Sequence, residues 1–187
     1  MNFSSTFPSS GHYAGHWLGD NSADFADLRS SVINIQAFNM FGIPFVGADI
    51  CGFYHPATLN LCARWHQLGA FYSLSRVHKQ QLANPQYNEY WMNVADAMRI
   101  ASSFRYRYLP YLYTLHFEAS RSGGTVVRPL FFEFPNDDAA HEVDRQFMWG
   151  HAFLVAPILK VVTLKPNMDQ NLKYPNVRFA NEFLNLI

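Results

Sequence analysis

Gly15-His16-Trp17-Leu18-Gly19-Asp20-Asn21 (GHWLGDN) breaks an aromatic, strand-like run with a glycine, a carboxylate and an amide. Residues 11–17 (GHYAGHW) read as a strand, and the polar residues after Leu18 read as entry into a helix with Asn21 or Ser22 as N-cap. Phe25, Leu28, Val32 and Ile35 then recur at helical spacing until Gly42-Ile43-Pro44 ends the helix. The pattern repeats. Residues 44–49 (PFVGAD) predict a short apolar strand ending on Asp49, and Pro56 fits the first turn of a helix that turns Leu59, Cys62 and Trp65 inward. Residues 73–78 (SLSRVH) form a third short segment ending on His78. A long helical region from about residue 88 to 120 follows, with Trp91, Val94, Ala95, Met98 and Ala101 on one face. Pro110 within it predicts a kink or two consecutive helices.

Three strand–helix alternations place Asp20, Asp49 and His78 at the C-terminal ends of their strands, which form the active face of a β/α barrel. Three units cannot close a barrel of eight, so the fold class is α/β and the chain is expected to hold part of a barrel. After Gly123-Gly124 the character changes: VVRPLFFEFP and FLVAPIL predict strands around a short helix in HEVDRQFMW, as at the start of a β domain. The expected division is therefore 1–122 for the partial barrel and 123–187 for a β domain with a divergent tail.

Composition narrows the chemistry. Apolar residues make up 49% and charged residues 15%, enough for a sizeable core, and 17% aromatic content suits an aromatic-lined cleft as well. Fourteen Lys and Arg balance fourteen Asp and Glu, so the electrostatic footprint of a nucleic-acid or anionic-membrane binder is missing. The tyrosine-rich run FRYRYLPYLYTL therefore reads as core packing with snorkelling arginines rather than a base-stacking platform. No run reaches the roughly 18 apolar residues of a membrane span. MNFSSTFPSSG has neither the basic nor the apolar region of a signal peptide.

Each polar candidate has a structural reading. An aspartate ahead of a helix is first an N-cap or dipole partner; for Asp20 the catalytic reading gains from Trp17, a surface on which a sugar could stack, and from flanking glycines. Asp49 lies between Gly47 and Gly52, and a strand-end aspartate is as readily a cap. Arg76 and His78 alternate on a strand and would point the same way. His12 and His16 have a helical zinc-site spacing but fall on a strand-like segment without a third ligand, so no metal is expected. Neither a glycine-rich phosphate loop nor a G-x-S-x-G elbow occurs, and no cofactor is expected. Cys51 and Cys62 fit a pair of free buried thiols or a loop-closing disulfide.

Read in order, GHWLGDN, GADICGF, CARWHQLGAFYSLSRVH, FRYRYLPYLYTL, TVVRPLFFEFP and WGHAFLVAPIL resemble glycoside hydrolase family 31. The likeness is to the branch with lysosomal acid α-glucosidase, maltase-glucoamylase and sucrase-isomaltase, and runs from about residue 4 to 160. It implies the C-terminal half of a (β/α)8 barrel followed by the start of a β-sandwich domain. It also implies a retaining exo-α-glucosidase that releases terminal α-1,4-linked glucose from maltose-like, glycogen-like or starch-like chains. The resemblance makes Asp20 the general acid/base and Trp17, Asp49, Phe53, Arg76 and His78 substrate-binding residues. It pairs Cys51 with Cys62 in a disulfide, and places the parent protein in the secretory pathway, lysosomal or extracellular. The expected partner is an α-glucoside oligosaccharide.

Two departures shape the expectation. The family's nucleophile lies in a W-x-D-M-N-E segment, which this sequence does not contain, and Ser4 stands where the family has a substrate-binding arginine. The residues beyond about 160 also depart from the family's pattern. The chain thus reads as a fragment, or a truncated or mis-spliced gene product, inactive alone. The competing reading is a non-catalytic carbohydrate-binding or regulatory relative.

Overall fold

The computed structural model describes residues 7–81 and 92–161. Ser4, Trp91, the start of the long helix and the tail beyond 161 lie outside the described residues. A 3-10 helix, Pro8–His12, leads into β1 (His16–Trp17). Helix α1 (Phe25–Met40) buries Leu28, Val32 and Ile35 completely, as their spacing predicts. Its N-cap is Asp24, not Asn21 or Ser22: the Asp24 carboxylate accepts from the Asp27 amide at 2.7 Å. The Asp27 carboxylate in turn accepts from the Ser22 amide at 2.6 Å. Residues 21–24 therefore separate Asp20 from the helix, and Asp20 is not a cap.

The segment expected as one strand through Asp49 is two, β2 (Val46–Gly47) and β3 (Asp49–Ile50), so Asp49 opens the second strand rather than closing the first. β1 pairs in parallel with β2, and β3 pairs in parallel with β4 (Arg76–Val77). Because all three pieces of chain run the same way, residues after Trp17, Ile50 and Val77 emerge at one end. Gly47 is needed for this pairing: a Cβ there would sit 1.9 Å from the Leu74 carbonyl oxygen.

Helix α2 (Leu59–Gly69) begins at Thr58, whose hydroxyl accepts from the Leu61 amide, so Pro56 lies ahead of the helix and not in its first turn. Its inward row is Leu61, Cys62, Trp65 and Leu68; Leu59 is only half-buried. Helix α3 (Met92–Ser122) contains Pro110 without dividing into two. Proline forfeits one backbone hydrogen bond, and burial on either side, at Ala101, Leu112 and Leu115, holds the helix together. Its buried row near the start is Val94, Ala97 and Ala101, with Ala95 and Met98 half-buried.

The tyrosine-rich run splits between two environments. Phe104, Tyr108 and Tyr111 pack against the core, whereas Tyr106 and Tyr113 face solvent at 73% and 74% exposure. Arg105 does not snorkel: its guanidinium donates to the carbonyls of Ala70, Tyr72 and Ser73, fixing the turn from α2 into β4.

Beyond α3, β5 (Val127–Arg128), β6 (Phe147–Trp149) and β7 (Phe153–Val155) make an antiparallel sheet in the order β5-β6-β7. Residues expected to be strand, LFFE, form a helical turn, α4 (Leu130–Glu133), because Pro129 directs the chain out of β5. HEVDRQFMW, expected to be helical, contributes only His141 to α5 (Asp138–His141) and then supplies β6, where Phe147 and Trp149 are fully buried. Trp149 packs edge-on against Phe71, and Phe153 against Tyr108 and Tyr111, so this sheet shares its core with α3. The buried Asn39 side chain joins α1 to the sheet by accepting from the Val126 and Val127 amides at 2.9 and 3.0 Å. Among the described residues no helix is long and apolar enough to cross a membrane.

Candidate active site

The segments leaving β1 and β3 interlock around Asn21, and the one leaving β4 joins them where the Gln80 amide donates to the Phe53 carbonyl. Its backbone carbonyl accepts from the Phe53 and Tyr54 amides, its side-chain oxygen from the Phe53 amide, and its side-chain nitrogen donates to the Asp49 carbonyl. One amide thus fastens the GDN segment to the GADICGF loop. Gly52, at φ +90°, lets that loop pass against Ala23, whose Cα lies 2.4 Å from where a Cβ would be. Cys51 and His55 also hold left-handed φ values of 75° and 67°, conformations that persist only where the surroundings enforce them.

The Cys51–Cys62 disulfide provides part of that enforcement, tying the loop to α2. Both cysteines are buried. A metal site is ruled out where Cys51, Cys62 and His66 cluster, since both sulfurs are already bonded to each other. Burial pushes the His66 imidazole down to about 4, so it stays neutral there. Replacing both cysteines by alanine is expected to cost about 3 kcal/mol, the loop-closure entropy of an eleven-residue separation. Urea unfolding with and without the pair measures it.

Asp49 is fully buried at the floor of the site. Its Oδ1 accepts from Arg76 Nε at 3.2 Å and Nη2 at 2.7 Å. Its Oδ2 is buried and has no hydrogen-bond partner among the described residues. Desolvation raises the carboxyl above its ordinary range, with Arg76 and the more distant His78 opposing and Asp20 adding to the rise. Burial wins because only one oxygen is compensated. The Arg76 guanidinium also lies over the Trp17 ring, 5.1 Å from its centroid.

Phe53 stacks on His78 at 5.0 Å between centroids and meets Tyr54 edge-on at 4.9 Å. Tyr54 donates its hydroxyl to Asp20 Oδ2 at 3.3 Å. The structure therefore brings together Trp17, Asp20, Asp49, Phe53, Arg76 and His78. Asp20 and His78 are exposed at the rim and Asp49 lies at the base. Asn21 and Tyr54 belong to the same constellation although neither stands out in sequence. Asn21 looks like a helix cap, and nothing local marks Tyr54 as a neighbour of a residue 34 positions away. His12 and His16 do not converge: His12 is exposed, while His16 is buried and stacked on Phe38 at 4.4 Å.

The arrangement offers a rim carboxyl able to exchange a proton, a buried acceptor beside a guanidinium, and aromatic faces. That set suits a polyhydroxylated, uncharged ligand. Residues 3–115 match the glycosyl hydrolases family 31 TIM-barrel domain, and residues 123–174 the family's C-terminal domain. A probable alpha-glucosidase of Oryza sativa subsp. japonica is 48% identical over 156 residues, which are 83% of this chain and 18% of that protein. Alpha-xylosidase 1 of Arabidopsis thaliana is 45% identical over 156 residues, 83% of this chain and 17% of that one. Among solved structures, a family 31 alpha-glucosidase from Bacteroides thetaiotaomicron superposes with a TM-score of 0.74 at 38% identity, covering 78% of this chain and 25% of that one. The chain spans less than a fifth of the length of these curated relatives. Both domain matches, and relatives 45% and 48% identical over 83% of its length, show that this chain belongs to glycosyl hydrolase family 31.

Proposed function

We propose that this chain is the C-terminal half of the catalytic (β/α)8 barrel, residues 1–122, with the start of the β-sandwich domain, 123–187, of a retaining exo-α-glucosidase. The substrate is a terminal α-1,4-linked glucose on a maltose-, glycogen- or starch-like chain. One observation carries the reading: Asp49 Oδ2, a buried acceptor with no partner among the described residues, lies in the same interlocked site as Asp20. A buried lone pair left unmet is costly, and a sugar hydroxyl satisfies it.

In this reading Asp20 is the general acid/base. It protonates the glycosidic oxygen as the C1–O bond breaks, then removes a proton from the water that attacks C1. Its exposure leaves room for the leaving sugar. Asp49 and Arg76 orient hydroxyls of the terminal glucose, His78 and Phe53 bound it on one side, and Trp17 forms part of the floor. A retaining mechanism needs a second carboxylate about 5–5.5 Å from the acid/base. Asp24 and Asp27 are committed to the start of α1, and Asp49 is buried and held by Arg76. Because the family's W-x-D-M-N-E segment does not occur in this sequence, this reading assigns the nucleophile to another part of the parent protein. The disulfide, which forms in oxidising compartments, supports placing the parent in the secretory pathway, lysosomal or extracellular.

The test compares the 187-residue chain with a full-length polypeptide carrying it. Proton NMR of maltose hydrolysis is expected to show α-glucose as the first-formed anomer with the full-length protein, and no turnover with the chain alone. Turnover of an α-xyloside in preference to the α-glucoside would reassign the sugar. Lack of any turnover by the full-length protein would favour a non-catalytic relative.

A further inference from the structure

We infer that Tyr54 is a positioning residue for Asp20: its hydroxyl selects which carboxyl oxygen delivers the proton. The inference rests on the acid/base reading of Asp20. Tyr54 is anchored beside the GDN segment by its backbone, its amide donating to the Asn21 carbonyl at 2.9 Å and its carbonyl accepting from the Ala23 amide at 2.9 Å. A parallel bridge between Ser22 and Tyr54 is part of the same contact. The ring is held from the other side by the edge-on contact with Phe53, itself stacked on His78. Backbone and ring together aim the hydroxyl at Asp20 Oδ2, which it reaches at 3.3 Å.

The consequence follows from what each atom can donate. Tyr54 donates to Oδ2, so Oδ2 serves as an acceptor and the carboxylic proton of Asp20 sits on Oδ1. Oδ1–H then gives its proton to the glycosidic oxygen as the C1–O bond breaks. That bond's electron pair stays on the leaving oxygen, while the carboxylate nucleophile of the retaining pair bonds to C1. When water attacks C1 in the second step, the C1–carboxylate bond breaks, its electron pair leaves with the nucleophile carboxylate, and Oδ1 recovers a proton from the water. Tyr54 keeps its own proton throughout. It fixes the carboxyl rotation, and an exposed aspartate would otherwise turn freely about its last torsion.

A group that acts through the acid matters only where the leaving group needs protonation. In the full-length protein, Tyr54→Phe is expected to lower kcat/KM for maltose about ten times more than for α-glucosyl fluoride, whose leaving group needs little acid help; a hydrogen bond to a carboxylate is worth about that factor. Asp20→Asn is the control and is expected to show the same selectivity more strongly. Adding Tyr54→Phe to Asp20→Asn is expected to change nothing further. Equal losses on both substrates, or none, would overturn the inference, because a purely structural tyrosine would not distinguish leaving groups. An Asp20→Asn variant that treats the two substrates alike would instead remove the acid/base reading beneath it. If Tyr54→Phe does not fold, Tyr54 replaced by O-methyltyrosine keeps the ring, lacks the donor, and is read by the same ratio.

Discussion

Asp20→Asn in the full-length polypeptide is expected to lower kcat for maltose by about 10²–10⁴-fold, the usual contribution of a positioned general acid/base. The fold should survive, because Asp20 caps no helix, is exposed, and among the described residues accepts a side-chain hydrogen bond only from the Tyr54 hydroxyl. Thermal unfolding close to that of the unsubstituted protein is therefore part of the expected result. Azide, a nucleophile that needs no base, is expected to restore turnover on α-glucosyl fluoride and to yield α-glucosyl azide. It enters from the face that water uses in the second displacement. Undiminished maltose hydrolysis in Asp20→Asn would remove the residue from its role.

Asp49→Ala is expected to reduce kcat/KM by about 10²-fold or more. It deletes the acceptor proposed for a sugar hydroxyl and the carboxylate that Arg76 pairs with, and sites built to hydrogen-bond a hydroxyl lose heavily when one partner is removed. Monodeoxy maltosides give the loss a specific signature. With the native protein, the analogue lacking the hydroxyl bound at Oδ2 should be much the poorest substrate. In Asp49→Ala that penalty should vanish while penalties at the other positions persist. If every penalty persists unchanged, Asp49 does not bind the sugar.

The two substitutions report on different physics. The role proposed for Asp20 depends on its exposure at the rim. The role proposed for Asp49 depends on its burial, with one oxygen held by Arg76 and the other without a partner among the described residues. Neither distinction is visible in the letters, where both are aspartates near glycines.

The sequence by itself determined what repeats or travels as a local pattern. Helical spacing of Leu28, Val32 and Ile35 marked a face that is completely buried. Alternation of strand-like and helix-like segments gave the α/β class, and six motifs in order identified the family that the domain matches show. Errors gathered where a residue's partner is distant or where two local rules compete. Asn21 has the right chemistry for a cap, yet its amide closes on Asp49 and Phe53 while Asp24 caps the helix. Residues 147–149 look like the end of an amphipathic helix, but pairing with β5 and β7 makes them a strand. Arg105 looks like a surface arginine, and only the turn out of α2 supplies the three carbonyls that draw it inward. Tertiary structure alone decided the unmet Asp49 oxygen and the reach of Tyr54 to Asp20, while the Cys51–Cys62 disulfide follows the pairing that the family resemblance implies. Hydrophobic periodicity is written into neighbouring residues, whereas hydrogen-bond partners and desolvation are set by whatever the folded chain brings alongside.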